Sequence, residues 1–258
     1  MQMTINGEWT NKSEEYIKLG LTILFRKFKS LQDFASWLNN EIEQVSNKNN
    51  DNSKFAILEP TLSRYLTNKI GISQRKGKIL QNIIDSELEI QNIIQDKIKD
   101  FAKDNWVSIN TRVILTDIVL LTFIVIKKLQ EMSDSKNIDA IITPEADGIP
   151  LGVILAQQLK CKCIYVRKNK RAEDTDFVQV EVQRYRNVVN YYLSLKELPP
   201  DSKVLLVDDI KRSGSTLKHL EELIEKAGSK VIKKMVLIDV KGNNDVIKKI
   251  DSFLQLTA

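Results

Sequence analysis

The residues most able to do chemistry lie in one run, Val204 to Thr216, which reads Val-Leu-Leu-Val-Asp-Asp-Ile-Lys-Arg-Ser-Gly-Ser-Thr. An apolar strand runs into two adjacent carboxylates, and a loop of small residues then opens a helix. The N–H groups of such a loop and of a helix N-terminus converge on an anion, which suits a monophosphate. Gly214, flanked by the small Ser213 and Ser215, lets that backbone approach closely. The hydroxyls of Ser213, Ser215 and Thr216 add donors, and Lys211 and Arg212 add positive charge. Asp208 and Asp209 fall at the carboxyl end of the strand, where open parallel sheets bind ligands. Carboxylates accept from vicinal hydroxyls, so the acid pair suits a ribose beside the phosphate.

Two further stretches belong with this one. Pro144-Glu-Ala-Asp-Gly-Ile-Pro150 follows a short apolar strand, Ile138 to Thr143, and Tyr165-Val-Arg-Lys-Asn-Lys-Arg171 follows another, Cys163 to Arg167. In order and spacing the three resemble the type I phosphoribosyltransferases over roughly Trp106 to Gly242. The nearest in pattern are the adenine phosphoribosyltransferases and the Gram-positive purine repressor, which carries such a domain behind a DNA-binding one. The resemblance implies that Asp208 to Thr216 hold a ribose phosphate, and that Asp209 polarises a ribose hydroxyl or helps hold Mg2+. It implies a pyrophosphate site for phosphoribosyl pyrophosphate (PRPP) at Glu145, Ala146, Asp147 and Gly148 with Arg167, Lys168 and Lys170. Arg171 would assist, and Ala172 to Phe177 would be the catalytic flap. Val240 and Phe253 would face the base, Phe253 stacking on its ring.

Two positions depart from the family pattern. Ser215 stands where a second glycine is usual, and Asp147 where a lysine, an arginine or a small neutral residue is usual. A carboxylate about 4 Å from a phosphate oxygen costs on the order of 4 kcal/mol at an effective dielectric near 20. Unrelieved, that is a factor of about a thousand in affinity.

These loops need a sheet to position them. Alternating strands and helices after Trp106 predict a parallel sheet covered by helices. Its strands are expected near 138–143, 163–167, 178–182, 204–207 and 231–240, the third of them exposed. Helices are expected to Leu159 and over Ser215 to Ala227. The apolar run Val113 to Ile126 is too short to span a bilayer and reads as a core helix.

From Asn11 to about Asp104 the grammar is helical instead. Helices are expected over Ser13 to Lys29, over Leu31 to Val45 with Ser30 as its cap, over Thr61 to Asn68, and from Ser73 to Asp104. The tract Asn47 to Ser53 reads as a loop, and Asp85 to Asp104 as a solvated connector. Leu31 to Leu38 and Pro60 to Lys69 resemble the central pair of a helix-turn-helix, though the turn between them is long. That resemblance implies DNA contacts from Thr61, Ser63, Arg64, Lys69, Arg75 and Lys76. Pro60 to Leu80 contains no acid.

The remaining composition sets bounds. With 258 residues, 42% of them hydrophobic, the chain has room for one large or two modest domains. A net charge of +5 permits nucleic-acid or polyphosphate partners without demanding them. Cys161 and Cys163 read as small buried residues rather than a disulfide, and the polar stretch Met1 to Glu15 lacks a secretory signal. A reducing, cytoplasmic setting with no membrane contact is therefore expected.

The reading in full is an all-α helix-turn-helix domain (1–82), a helical linker (83–105) and an α/β parallel-sheet phosphoribosyltransferase-type domain (106–258). Its first function is a homodimeric transcriptional regulator that binds double-stranded DNA and senses a purine nucleotide or PRPP. The alternative is a working purine phosphoribosyltransferase using Mg2+ and PRPP.

Overall fold

The computed structural model describes residues 11–48, 55–99, 109–132, 137–170, 175–184, 187–241 and 250–257. The chain divides into two compact units. One comprises Met1–Ile93 with Ile118–Glu131; the other comprises Ile94–Asp117 with Met132–Ala258. The linear boundaries at 82 and 105 differ from this division.

The first unit is helical: α1 (Asn11–Phe25), α2 (Leu31–Lys48), α3 (Glu59–Leu66), α4 (Gln74–Glu87), the start of α5 (Ile90–Lys99) and α7 (Ile118–Glu131). Ser30 Oγ accepts the Asp33 N–H at 3.0 Å, the expected cap on α2. α1 packs on α3, α4 and α7, and α2 on α3 and α4. Tyr16 stacks on Phe123 with ring centroids 4.8 Å apart, and its hydroxyl donates to Asp85 Oδ1 at 2.6 Å. Phe34 lies among Phe25, Phe28 and Trp37.

Three expectations change here. The long helix from Ser73 is two, α4 and α5, broken at Leu88 and Glu89. The stretch from Asp85 is no simple solvated connector, because Leu88, Ile90 and Ile94 are buried. The apolar run 113–126 is likewise two helices, α6 (Arg112–Leu115) and α7, parted at Thr116 and Asp117. Leu120 to Ile126 are buried throughout, so α7 is a core helix, but of the helical unit.

The second unit is built on a five-stranded parallel sheet of order β2-β1-β5-β6-β7. Its strands are β1 (Ala140–Pro144), β2 (Lys162–Val166), β5 (Lys203–Lys211), β6 (Lys230–Lys241) and β7 (Asp251–Thr257). The antiparallel pair β3 (Phe177–Arg184) and β4 (Asn187–Ser194) forms a hairpin, joined to the end of β2 by backbone bonds between Arg167 and Tyr192. α8 (Ile149–Leu159) packs on β1, β2 and β5, whereas α9 (Ser215–Lys226) packs on β5, β6 and β3. Val204 to Val207 have no exposed surface, as a strand between two others and beneath helices requires. Alternation along β1 and β5 turns Ala140, Ile142, Val204 and Leu206 into one core with Val180, Val182, Tyr191, Leu193 and the buried face of α9. The third strand is therefore not an exposed one: its Val180 and Val182 are core residues. Cys161 and Cys163 are free and half-buried rather than fully buried, and burial pushes the Cys163 thiol up to about 11.

Candidate functional site

The chain runs from β1 through α8 to β2 on one side, then returns to place β5 on the other side of β1. The gap beyond the carboxyl ends of β1 and β5 is thus the switch point of the sheet, where open α/β sheets bind ligands. A cleft of about 590 Å³ opens there. Its lining comes from the loop 144–147, from Lys168, from Tyr191 and from the continuous run 208–217. The two loops the sequence singled out, separated by some sixty residues of chain, form facing walls.

Local chemistry explains how the walls approach. Gly148 is buried against the end of β1, and a Cβ there would overlap Thr143 Oγ1 and lie 3.3 Å from Asp208 Oδ1. Glycine alone lets the 144–150 loop settle against the acid pair. Gly214 sits at the N-cap of α9 with φ +81°, in the left-handed region that favours glycine. It turns the chain from β5 into α9, so that the first residues of α9, Ser215 to Leu217, line the cleft. The peptide bond between Glu145 and Ala146 is cis.

The acids are held by bonds rather than left loose. Asp208 is buried, and its Oδ1 accepts the Asp209 N–H at 2.9 Å. Asp209 Oδ2 accepts the hydroxyl of Thr111 at 2.7 Å. Glu145 Oε2 accepts the Lys168 N–H at 3.1 Å, which ties one wall to the segment after β2. Asp147 is half-exposed, and its Oδ1 receives both Nε and Nη2 of Arg112 at 3.2 Å.

Not every candidate reaches the cleft with its side chain. Lys211 is nearly fully buried, and its ammonium donates to Asp239 Oδ1 at 2.7 Å. The lysine expected to meet a phosphate is therefore committed to a buried ion pair. Arg167 lies over the Tyr165 ring and bonds its hydroxyl at 2.8 Å, and the Lys170 ammonium lies over Phe177, 4.2 Å from the ring centroid. Neither lines the cleft, whereas Lys168 does. Phe253 is buried and Val240 half-buried, and neither lines it. Arg171 and most of the flap, 171–174, lie outside the described residues. Tyr191, which lines the cleft, and Thr111 and Arg112, which bond its wall residues Asp209 and Asp147 without lining it themselves, escaped the sequence reading. The only local hint of Thr111 and Arg112 was a polar pair directly before an apolar run.

In the helical unit, Arg64, Lys69 and Arg75 are exposed, Thr61 and Ser63 are half-buried, and the Lys76 ammonium lies 5.4 Å from the centroid of Phe55. Among the described residues no helix is long and apolar enough to cross a membrane.

Known proteins bear on this arrangement in three ways. The model of the phosphoribosyl transferase domain matches residues 114–257. The adenine phosphoribosyltransferase of Malacoplasma penetrans is 28% identical over 65% of this chain and 96% of its own length. That of Mycoplasmoides gallisepticum is 32% identical over 56% of this chain and 80% of its own. A solved adenine phosphoribosyltransferase from Thermoanaerobacter pseudethanolicus superposes with a TM-score of 0.53 at 20% identity, covering 64% of this chain and 99% of that one, which speaks to the fold alone.

Proposed function

This chain belongs to the phosphoribosyl transferase domain family, and on that premise we propose that it is an adenine-type purine phosphoribosyltransferase. The reaction joins a purine base to the ribose of PRPP, giving a nucleoside monophosphate and pyrophosphate. One observation carries the reading: the acid pair and the small-residue loop, 208–217, face the 144–147 loop across a single cleft at the switch point.

The division of labour follows from the lining. Backbone N–H groups and hydroxyls of Ser213 to Thr216, at the start of α9, hold the ribose 5-phosphate. Asp208 and Asp209 accept from the ribose hydroxyls. Residues 145–148, with Lys168, receive the pyrophosphate. A base nitrogen bonds to the anomeric carbon as the bond from that carbon to the pyrophosphate oxygen breaks, and the pyrophosphate leaves with the electron pair. The base then gives up its proton to water. Charge builds on the sugar and on the leaving group, so fixed donors and carboxylates at those places lower the barrier. Mg2+ supplies charge neutralisation when it arrives with PRPP. Asp209 would be the carboxylate to help hold such an ion.

The regulator placed first on sequence alone is now the second reading. The relatives named above are phosphoribosyltransferases by name, which favours the enzyme. What favours DNA contact is the exposure of Arg64, Lys69 and Arg75 in the helical unit. A homodimer in the cytoplasm remains the expected form under either reading.

The deciding measurement follows pyrophosphate release from PRPP and Mg2+ with adenine, guanine, hypoxanthine or xanthine in turn. Release with adenine well above that with the other bases is expected. No release with any base, from protein that binds nucleoside monophosphate, would overturn the enzyme.

A further inference from the structure

Asp147 sets a negative charge in the wall where a pyrophosphate carries several. The structure puts a cation directly beside it. Arg112 reaches Asp147 Oδ1 through Nε and Nη2. A guanidinium has five N–H donors in a rigid fork, so among the described residues Nη1 remains to bond a second anion. The next residue back fixes where this arginine starts. Thr111 is only 4% exposed, and its hydroxyl is bonded to Asp209. Two consecutive residues thus touch the two walls of the cleft, Thr111 the acid pair and Arg112 the opposite loop.

We propose that Arg112, oriented by Asp147, is a pyrophosphate-binding residue of this site. This rests on the phosphoribosyltransferase reading and adds a ligand to it. The family pattern has a cation or a small neutral residue at position 147. Here a carboxylate stands in the loop and the cation comes from the segment before α6. An exposed ion pair contributes little to folding; the arginine is 72% and the aspartate 49% exposed. The pair is therefore worth more to a bound anion than to stability. Asp147 balances the guanidinium charge before an anion binds and aims it. A pyrophosphate that accepts from Nη1 meets a planar, charge-assisted donor that needs no further ordering. Asp147 is the positioning residue, and Arg112 makes the contact.

The test is calorimetry on the full chain with magnesium pyrophosphate and, separately, ribose 5-phosphate. Arg112→Gln should weaken pyrophosphate by about tenfold or more and leave ribose 5-phosphate within about twofold, because only the former reaches the arginine. Asp147→Asn alone should weaken pyrophosphate measurably but by less than Arg112→Gln does, since the lost orienting contact is partly offset by the lost repulsion. In the Arg112→Gln background the same change should restore much of the loss, because the uncompensated carboxylate goes. A merely structural pair would shift both ligands together, or neither, and would show no such rescue. Equal pyrophosphate affinity in the parent and Arg112→Gln overturns the proposal while leaving the ribose-phosphate site standing. Failure of the unmutated chain to bind either ligand overturns both the proposal and the reading beneath it. Thermal unfolding of each variant confirms that the fold is retained.

Discussion

The sheet unit and the helical unit handle charge in opposite ways. In the sheet unit polar groups are brought inside and fastened: Lys211 to Asp239, Asp209 to Thr111, Asp208 to the next N–H. In the helical unit the core is mostly aliphatic and aromatic, Asp85 takes the inward contacts of Tyr16 and of the largely buried Lys127, and the basic residues Arg64, Lys69 and Arg75 stay outside. Desolvating a charge costs several kcal/mol unless a partner offsets it. A fold that retains such groups has a use for them. Exposed lysines and arginines cost the fold almost nothing.

The sharpest way to break this contrast is at Lys211. Lys211→Met strands Asp239 without its cation and should cost about 3–5 kcal/mol, read from urea unfolding. Pairing it with Asp239→Leu should recover most of that loss, and a mild effect from the single change would mean that the buried pair is not the constraint claimed. Next comes the acid pair. Asp208→Asn with Asp209→Asn should weaken ribose 5-phosphate by about a hundredfold or more, close to 2.7 kcal/mol. Unchanged affinity by calorimetry would remove the site from the cleft. On the helical side, Arg64→Ala should cost about 1–3 kcal/mol in duplex DNA affinity if that arginine reads a base, with nucleotide affinity untouched. Equal DNA affinity in mutant and parent would sink the recognition-helix assignment and widen the contrast between the units. The smallest effect is expected at Gly214, where Ala must adopt φ +81°. A loss of about 1 kcal/mol of stability, with a parallel weakening of phosphate binding, would confirm that this turn presents the start of α9.

What could be read from the sequence follows from how local each feature is. Val204 to Thr216 carries strand, acids, turn and helix start in one stretch, and each residue type has its own reason to be there. Its parallel-sheet setting was legible from the same alternation of strand and helix. Thr111 was not, because it meets Asp209 across 98 residues of chain, and only the closed fold brings the two together. Lys211 misled for a related reason. Beside a phosphate loop a lysine looks like a ligand, but β5 continues through it, and its register against β6 sets it opposite Asp239. β4 lacked a clean period because Asn187-Val-Val-Asn-Tyr-Tyr-Leu-Ser does not alternate strictly, and β7 lay close to the end of the chain. Phe253 looked like a ring-stacking residue, since sequence does not tell a cleft aromatic from a core one.

The interrupted path of the chain through its two units has a consequence for how the molecule comes into being. During synthesis the helical unit receives its last piece, α7, at Glu131, before the first strand has emerged. Its aromatic contacts, Phe123 on Tyr16 included, can close while the sheet is still unmade. The sheet is completed later: β1 and β2 can pair once Val166 is made, but the central strand β5 ends only at Lys211, and β6 and β7 follow it. A chain started at residue 106 would carry α7 without α1 and expose Leu120 to Ile126 as an apolar ribbon. Residues 1–93 alone would lack the helix that covers Tyr16. In this chain the last helix of the helical unit thus lies inside the stretch, 114–257, that matches the phosphoribosyl transferase domain, so a cut between residues 93 and 118 leaves the helical unit incomplete.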